Sequence, residues 1–312
     1  MVPEVAVKPA ETSEPAARPG TSEPGTRTVS CIILTQGDRP DELKRAVTSV
    51  QAQHGDPVEI VLVANGGVAP DPPHGVRMVR LRDNVGVPGG RNIGVEATTG
   101  DVVLFLDDDG WLPDKETVER LRTMFRSRPS LGIVSFRIVD PETGITQRRH
   151  VPRLRVGDPE RSSDVTSFLG GACAIRRTVL SDCGALPATF FYSHEEIDLA
   201  WRALDAGYDI RYVAGAIMYH PQSEPSARHA SFYFNNARNR VWLARRRLPA
   251  ALIPLYLGTW TAITIVRHRH LSPLKEWFGG FAEGWRAEPG PRRPIRWRTV
   301  WRMTRLGRPP VI

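Results

Sequence analysis

The chain has 312 residues, of which 41% are hydrophobic, so it is long enough to bury one sizeable core with smaller appendages. Its three cysteines, Cys31, Cys173 and Cys183, are odd in number and show no CxxC spacing. This pattern argues against a disulfide framework and favours a protein of a reducing compartment.

The net charge of +8 is unevenly distributed along the chain. Residues 238–312 contain sixteen Lys and Arg against three Asp and Glu, a net charge of +13, which leaves −5 for the remainder. The same segment carries six of the eight Trp residues. We therefore expect a local basic and aromatic surface in the C-terminal quarter, and not a protein that is basic throughout.

Residues 1–27 differ in composition from the rest of the chain. Five prolines stand among Ala, Ser, Thr and Glu, and no apolar run has the length of a secretory signal. Such a segment buries too little apolar surface to offset the entropy of ordering it. The expected organisation is a disordered tail over 1–27, a main domain over 28–225 and a basic, helical, Trp-rich extension over 226–312.

Short apolar runs alternate with helical patterns in the first half of the main domain. Strands are predicted for Val29–Thr35, Val58–Val63, Val76–Leu81 and Asp101–Leu106, and helices for Asp41–Gln53 and Pro88–Thr98. This alternation predicts an α/β fold with a mostly parallel, Rossmann-like sheet, which binds ligands at the carboxyl ends of its strands. Thr35–Gly37, Asn65–Gly67 and Asp107–Asp109 all follow strands, so we expect them to line one crevice.

The second half of the main domain has shorter patterns. Strand candidates are Gly132–Val139, Phe168–Ile175, Ile210–Val213 and Ala216–Tyr219, and a helix is predicted for Glu195–Gly207. The last of these strands ends directly before His220, which brings that histidine towards the same crevice.

Three adjacent carboxylates, Asp107, Asp108 and Asp109, follow the fourth strand. Without a counter-charge they would raise one another's pKa, and a hard divalent cation such as Mg²⁺ or Mn²⁺ removes the conflict. Because neighbours alternate sides at the end of an extended strand, we expect Asp107 and Asp109 to face the ion while Asp108 turns away. The alternative is a solvated acidic turn that caps the next helix.

The segment Asn84–Gly94, NVGVPGGRNIG, is a glycine-rich connection between a strand and a helix. It contains neither GxGxxG nor GK[ST], so it is neither a dinucleotide fingerprint nor a P-loop. Its glycines permit close approach of the backbone to a ligand, and Arg91 offers a guanidinium for phosphate. A tight loop that only packs on the sheet is the alternative.

Three carboxylates, Glu195, Glu196 and Asp198, stand at the start of the predicted helix. The helix dipole favours anions there, which accounts for one or two of them. One of the three is therefore a candidate general base, with Glu196 or Asp198 on the crevice side. His220 is a candidate metal or phosphate ligand, or a structural histidine.

The order of these segments resembles that of the family-2 glycosyltransferases with a GT-A fold, particularly the bacterial rhamnosyltransferase-like branch. The resemblance covers Thr28 to Pro221, and a weaker similarity is seen in Phe232–Arg246. The matching segments are Leu34–Pro40, Asn84–Gly94, Phe105–Asp109, Gly170–Ala172, Phe190–Arg202 and His220. They resemble the family's opening turn, its NxGxxGGRNxG loop, its FLDDD motif, its glycine-containing acceptor-side strand, its FFxxGEDxDLxxR element and its late histidine.

The resemblance implies metal-dependent, inverting transfer of a sugar from a nucleotide-sugar donor to a hydroxyl acceptor, which is expected to be a cell-envelope glycan or a lipid-linked precursor. It implies that Asp107 and Asp109 hold Mg²⁺ or Mn²⁺, with His220 as a further ligand. The nucleotide-sugar site would comprise Thr35, Gln36, Gly37, Asn65, Asn84, Gly86, Gly90, Arg91, Asn92, Asp107, Asp108, Gly170 and Gly171.

The resemblance also implies that Glu196, at the position of the family's catalytic Asp, deprotonates the acceptor, with Asp198 and Glu195 as further catalytic candidates. This sequence departs from the family in two places. Glu196 is one methylene longer than the usual Asp. Ala64, followed by Asn65, stands where the family usually has the Asp that contacts the nucleotide base, so base recognition is expected to differ.

The segment Leu248–Val266 has 19 residues without a charge and is flanked on both sides by basic residues. Its length permits a membrane span, but two prolines and a glycine make it a poor one, and positive charge on both sides gives no orientation. A span, a helix packed on the core and an in-plane membrane contact all stay open. We prefer an in-plane or hairpin contact with the anionic cytoplasmic face of the plasma membrane, where a lipid-linked acceptor would lie.

Three rival functions remain. A nucleic-acid-binding protein would explain the basic C-terminal quarter but not the aspartates, and we expect no nucleic-acid partner. A metal-dependent nucleotidyltransferase or phosphatase would use the same aspartates without needing the carboxylates of the predicted helix. A catalytically silent sugar-nucleotide-binding protein is suggested by Ala64 alone. The sugar, the base, the acceptor and the oligomeric state are left open.

Overall fold

The computed structural model describes residues 28–67, 71–221, 230–267 and 271–312, so the predicted tail over 1–27 lies outside the described residues. The described strands are β1 (Val29–Thr35), β2 (Glu59–Asn65), β3 (Val76–Leu81), β4 (Val102–Asp107), β5 (Leu131–Val139), β6 (Ser163–Asp164), β7 (Ala172–Arg176) and β8 (Asp209–Tyr219). They form one sheet in the order β3-β2-β1-β4-β7-β5-β8-β6.

Helices cover both faces of this sheet. In the described ranges they are α1 (Pro40–Gln51), α2 (Gly86–Glu96), α3 (Thr117–Ser127), α4 (Arg177–Cys183), α5 (Glu195–Ala206), α6 (Ala230–Arg247), α7 (Ile253–Arg267), α8 (Leu271–Arg286) and α9 (Trp297–Arg305). Residues of β1 alternate between the two faces: Ile32 packs in one apolar cluster, and Cys31 and Ile33 pack in the other.

The predicted mostly parallel α/β sheet is confirmed. Strands β3, β2, β1 and β4 are parallel neighbours, and β5 is parallel to β8. Strand β7 runs antiparallel to β4 and β5, and β6 runs antiparallel to β8. Because β1, β2 and β4 are parallel, the polar residues that follow them lie along one edge of the sheet.

Two regions differ most from the prediction in their strand bounds. The strand predicted for Phe168–Ile175 begins only at Ala172, because the residues before it form a turn that is closed by a hydrogen bond from the Ala172 amide to the Leu169 carbonyl (3.1 Å). The Gly171 carbonyl accepts from the Asp107 amide (3.0 Å), which holds this turn against β4. The two strands predicted for 210–219 are one strand, β8, with an irregular register opposite Phe136 and Arg137.

The C-terminal helices share the core of the main domain. Leu248, Tyr256, Val300 and Met303 are buried in the same apolar cluster as Leu199 of α5. Ion pairs tie the two regions together, because Arg296 contacts Asp205 (3.2 Å) and Arg302 contacts Asp209 (2.5 Å).

One segment within the described ranges, Ala250–Arg267, is long and apolar enough to cross a membrane by length and composition, and 17% of it is buried. Its inner side contributes Tyr256 and Leu257 to the core, whereas Leu255 and Val266 on the outer side are exposed. Length and composition alone are weak evidence for a span, because the core helix of a soluble protein meets the same criteria.

Candidate active site

A cavity of about 590 Å³ opens at the carboxyl ends of β1, β2 and β4. Its lining combines predicted site residues with residues of α6. The residues around it are Leu34, Thr35, Gln36, Arg39, Asn65, Asn84, Gly86, Val87, Arg91, Asp107, Asp108, Asp109, Phe191, Tyr192, His220, Ser231, Phe232 and Asn235. We call this cavity the sheet-edge pocket.

The three aspartates alternate in direction as the strand geometry requires. Asp107 and Asp109 come together with His220, and one possible ligand atom from each lies within 4.8 Å of the others. Asp108 is buried and turns towards Arg39, which contacts it at 2.9 Å and also binds Asp109. The cluster therefore offers two carboxylates and an imidazole to a metal ion.

The electrostatics of this cluster follow from its contacts. Burial would lower the pKa of His220, but the hydrogen bond and negative charge of Asp109, 3.1 Å away, outweigh burial and raise it. Burial likewise works to raise the pKa of Asp109, and His220 and Arg39 lower it overall. Burial raises the pKa of Asp108 to about 6, against the opposing effects of a hydrogen bond with Thr35 and the charge of Arg39.

Arg91 lies on α2 and links two sets of carboxylates. Its guanidinium is 3.0 Å from Asp107 and 3.7 Å from Glu195, and it stands over the ring of Phe105 at 5.4 Å. Only 8% of its side chain is exposed. The structure thus fixes a positive charge at the floor of the pocket, where a phosphate oxygen can approach it.

Several predicted binding residues of the glycine-rich loop are committed to contacts within the chain. The Asn65 amide accepts from the Val85 amide (2.9 Å) and donates to the Asn84 side chain (3.0 Å), so it fixes the loop. The side-chain amide of Asn92 donates to the Leu186 carbonyl (2.8 Å) and accepts from the Leu186 amide (3.0 Å).

Glycines in the same loop serve close packing. Gly86 has φ +78° and stands against Phe191, where a Cβ would overlap the Phe191 backbone. Gly90 lies against Leu34, which lets α2 approach β1, and it does not line the sheet-edge pocket.

The pair Gly170 and Gly171 stands between the sheet-edge pocket and α5. A Cβ on Gly171 would overlap the Asp107 carboxylate, and a Cβ on Gly170 would lie 2.7 Å from Arg91 and 3.9 Å from the Cβ of Glu196. The absence of side chains here lets the turn pack closely against Asp107, Arg91 and Glu196.

The three carboxylates of α5 have different surroundings. The Glu195 side chain is 5% exposed and lies beside Arg91, whereas Glu196 is half-buried and lines two further cavities. Asp198 is fully buried, and its oxygens contact Arg202 (2.8 Å) and Arg247 (2.6 Å). Neither Glu196 nor Asp198 lines the sheet-edge pocket.

Arg39, the aromatic residues of the pocket and the pocket residues of α6 were not predicted from the sequence. Arg39 lies in the predicted opening turn, two residues after Gly37. That position is the feature of the sequence that could have identified it as a site residue. Phe191 and Tyr192 come from the segment before α5, and Ser231, Phe232 and Asn235 come from α6. No local pattern marks the α6 residues, because their place beside the pocket depends on how that helix packs.

The sequence model of the family described as "Glycosyl transferase family 2" matches residues 30–184. The matched segment contains the aspartates, the glycine-rich loop and Gly170–Gly171. The chain belongs to glycosyltransferase family 2.

The curated relatives are named after different substrates. The "Pre-mycofactocin glycosyltransferase" of Mycobacterium tuberculosis is 28% identical over 245 residues, which is 72% of this chain and 46% of the relative. The "Galactofuranosyltransferase GlfT1" of the same species is 26% identical over 218 residues, 63% of this chain and 71% of the relative. This chain therefore spans about half the length of the first of these family-2 relatives, and the comparisons leave the branch of the family unassigned.

Solved structures share the fold at low sequence identity. GalNAc-T7 with UDP, GalNAc and Mn²⁺ is 16% identical and superposes with a TM-score of 0.59, covering 82% of this chain and 55% of that one. The mannosyltransferase PcManGT from Pyrobaculum calidifontis with GDP-Man and Mn²⁺ is 16% identical with a TM-score of 0.52, covering 90% and 85%. These likenesses show that this family-2 chain has the GT-A fold.

Proposed function

We propose that this chain transfers a sugar from a nucleotide-sugar donor to a hydroxyl group of an acceptor, with inversion at the anomeric carbon and with a divalent metal ion at the donor diphosphate. One observation carries the proposal. The Gly170–Gly171 turn lies against Asp107 and Arg91 of the pocket and also beside Glu196 of α5, so it brings the candidate base close to the candidate diphosphate site. Transfer with inversion needs a base and a leaving-group site that act on the same sugar, and this proximity supplies both.

The residues at the sheet edge fit a hard divalent ion. The Nδ1–H of His220 donates to the Pro221 carbonyl (2.7 Å), which fixes the ring and leaves Nε2 directed at Asp109. Asp107, Asp109 and His220 would hold Mg²⁺ or Mn²⁺, which neutralises charge on the leaving nucleoside diphosphate. Both solved relatives described above contain Mn²⁺ in their crystals.

Glu196 is the proposed base. In the transfer, the acceptor oxygen forms a bond to the anomeric carbon, the bond to the diphosphate oxygen breaks with its electron pair, and the acceptor proton passes to the Glu196 carboxylate. Asp198 has both oxygens engaged by arginines and is unsuited to accept a proton. Arg91 supplies fixed positive charge beside the diphosphate at no cost of reorganisation during the reaction.

The nucleotide base is read in a way that differs from the usual family pattern. Ala64 is buried, and the Asn65 amide is occupied by the glycine-rich loop, so neither is free to contact a base. The Oδ1 of Asn84 accepts from Asn65 and from the Gly86 amide, so the Gln36 side chain at the pocket wall is the proposed contact to the base. The two solved relatives carry UDP and GDP-Man, so the donor class is a nucleoside diphosphate sugar without a fixed base.

We also propose that the outer sides of α7 and α8 rest on an anionic membrane, so that the acceptor is lipid-linked or part of an envelope glycan. Large apolar side chains on these helices are exposed: Leu255, Ile265, Val266, Leu271, Phe278 and Trp285. Exposed Arg267 and Lys275 accompany them and attract anionic headgroups. This surface supports contact in the membrane plane on the cytoplasmic side.

The central test is release of nucleoside diphosphate from a panel of sugar nucleotides, with and without lipid-phosphate acceptors, in Mg²⁺ or Mn²⁺ and in excess EDTA. We expect release that requires the metal ion. Asp109→Asn removes a charged oxygen ligand and should lower turnover by orders of magnitude while thermal unfolding stays unchanged. Full activity of this variant, or of the unaltered chain in EDTA, would contradict the metal role, and release of nothing but inorganic phosphate would favour a phosphatase.

A further inference from the structure

Glu196 lines two neighbouring cavities, of about 360 and 600 Å³, that are separate from the sheet-edge pocket. The two share Glu196, Trp260 and Arg308 among their walls, and we call them together the Glu196 cavity. Its lining is strongly basic. In the described ranges Glu196 is the one acidic residue on it, against Arg148, Arg149, Arg153, Arg240, Arg267 and Arg308.

Arg240 is a buried cation on this wall without a carboxylate partner. The residue is 7% exposed, its guanidinium donates to the Tyr256 hydroxyl (3.2 Å) and its Cζ lies 3.7 Å from the centre of the Trp260 ring. Its Nε has no hydrogen-bond partner in the part of the chain that the structure describes, and no acidic side chain described there lies within 4.0 Å. A buried cation without a counter-charge is costly to a protein.

Arg308 adds a second cation to the same wall. It donates to the Ser167 hydroxyl (2.7 Å) and, among the described residues, forms no ion pair with an acidic side chain. Burial lowers the pKa of Arg308, and the positive charge of Arg240 also lowers it, against the opposing effects of Tyr256 and of the charge of Glu196. Two guanidinium groups that repel each other across a cavity are relieved by an anion between them.

A further unsatisfied donor of the wall stands next to an aromatic surface. The indole Nε1 of Trp260 is buried without a hydrogen-bond partner in the described ranges. Trp260 and Tyr256 give the cavity aromatic faces beside the two arginines. Donors in excess of acceptors, next to aromatic rings, are the complement of an anionic molecule with an apolar body.

We propose that the Glu196 cavity binds the acceptor, and that Arg240 and Arg308 recognise a small anionic group on it, a carboxylate or a phosphate, near the hydroxyl that Glu196 deprotonates. This inference rests on the proposed function for the role of Glu196, but the anion site itself depends only on the two arginines. Specificity follows because an uncharged acceptor would bring no counter-charge to buried Arg240 or to half-buried Arg308.

The test is isothermal titration of the full chain at fixed ionic strength with three small probes: benzoate, phenyl phosphate and benzyl alcohol. We expect at least one of the two anions to bind, and the neutral alcohol to bind at least tenfold more weakly. The better of the two anions identifies the group as carboxylate or phosphate. Equal affinity for benzyl alcohol would overturn the proposal.

Arg240→Gln and Arg308→Gln should each weaken binding of the anion at least tenfold. Arg305→Gln is the matched control, because Arg305 is exposed on α9, lies outside the cavity and loses the same charge. Binding of UDP with Mn²⁺ and thermal unfolding check that each variant is folded. If Arg240→Gln does not fold, Arg308→Gln decides alone, and wild-type anion affinity in the folded variants would overturn the proposal.

The donor-release assay separates this site from the proposed function. A chain that binds the anion through Arg240 and Arg308 but releases no nucleoside diphosphate would retain the anion site and contradict the transferase. A chain that transfers sugar while the arginine variants keep full affinity would retain the transferase and contradict the anion site.

Discussion

Glu196 and Asp198 lie two positions apart on α5 in opposite electrostatic surroundings. Burial and the charge of Glu195 raise the pKa of Glu196 to about 8. Burial also works to raise the pKa of Asp198, but Arg202 and Arg247 outweigh it, so its pKa is lowered. A carboxyl group with a raised pKa is suited to proton transfer, and one with a lowered pKa is suited to a permanent ion pair.

Replacing Glu196 with Gln should lower turnover on the order of 10²–10⁴-fold and leave donor binding intact, because the amide cannot accept the proton. In the unaltered chain, kcat/KM should rise with pH through about 8, since the base acts only in its ionised form. The pH profile and the affinity for donor check both statements. A pH profile that is flat between pH 6 and 9, or a Glu196→Gln variant with nearly unchanged turnover, would show that another residue is the base.

Asp198→Asn should instead cost stability, by about 3–5 kcal/mol, because it leaves buried arginines without their carboxylate. Since the pKa of Asp198 is lowered in the folded state, its contribution is complete above the usual Asp value of about 4 and is lost as pH falls through the folded pKa. Urea unfolding at pH 7 and near pH 3 measures this. A variant as stable as the parent but without turnover would show that Asp198 acts in the reaction.

The segment that joins the two sides of the site is the turn before β7. Its glycines let the backbone pack closely against Asp107, Arg91 and Glu196. The strand predicted to start at Phe168 begins only at Ala172 in the structure, because the residues before it form this turn.

Gly171→Ala should lower turnover at least tenfold, because the new Cβ would occupy the position of the Asp107 carboxylate and displace a metal ligand. The matched control is Gly258→Ala on α7, where no atom lies within 4 Å of the added Cβ. That change should preserve activity and stabilise the helix by about 0.5–1 kcal/mol. Unchanged kinetics of Gly171→Ala would show that Asp107 does not depend on this close approach.

The molecule as a whole has a closed apolar core and, on its C-terminal helices, an exposed surface of apolar and basic residues. The C-terminal helices bury Tyr256, Val300 and Met303 in the main core, yet eight of the twelve exposed large apolar side chains among the described residues lie from Leu255 onward. A helix that serves both purposes has one face in the core and the other available to a partner surface.

We expect the full chain to sediment with vesicles that contain anionic lipid and to be released by high salt or carbonate, because attraction between a basic surface and headgroups is screened by ions. Phe278→Ser with Leu271→Ser should reduce vesicle binding at least fivefold, whereas Ile145→Ser, an exposed site outside the C-terminal quarter, should not. Retention that only detergent reverses would show a spanning segment. A chain that ignores anionic vesicles at low salt would show that α7 and α8 serve packing alone.

The sequence by itself determined the parallel half of the sheet, the crevice at its carboxyl edge and the grouping of Asp107 and Asp109. These follow from local rules: apolar runs of strand length, the alternation of side chains along a strand and the direction of parallel neighbours. The same reasoning placed His220 near the aspartates, because β8 ends where it was expected to end.

The tertiary structure alone decided which polar residues face a ligand. Asn92 and Asp198 are as polar in sequence as the pocket residues, but partners distant in the chain occupy them. Likewise, Arg240 becomes a buried cation on the wall of the Glu196 cavity only because α6, α7 and the residues after α9 meet there. Hydrogen-bond and ion-pair partners that are separated by tens of residues leave no local pattern in the sequence. An unpaired charge points to a ligand only when it is buried, and burial exists only in the folded chain.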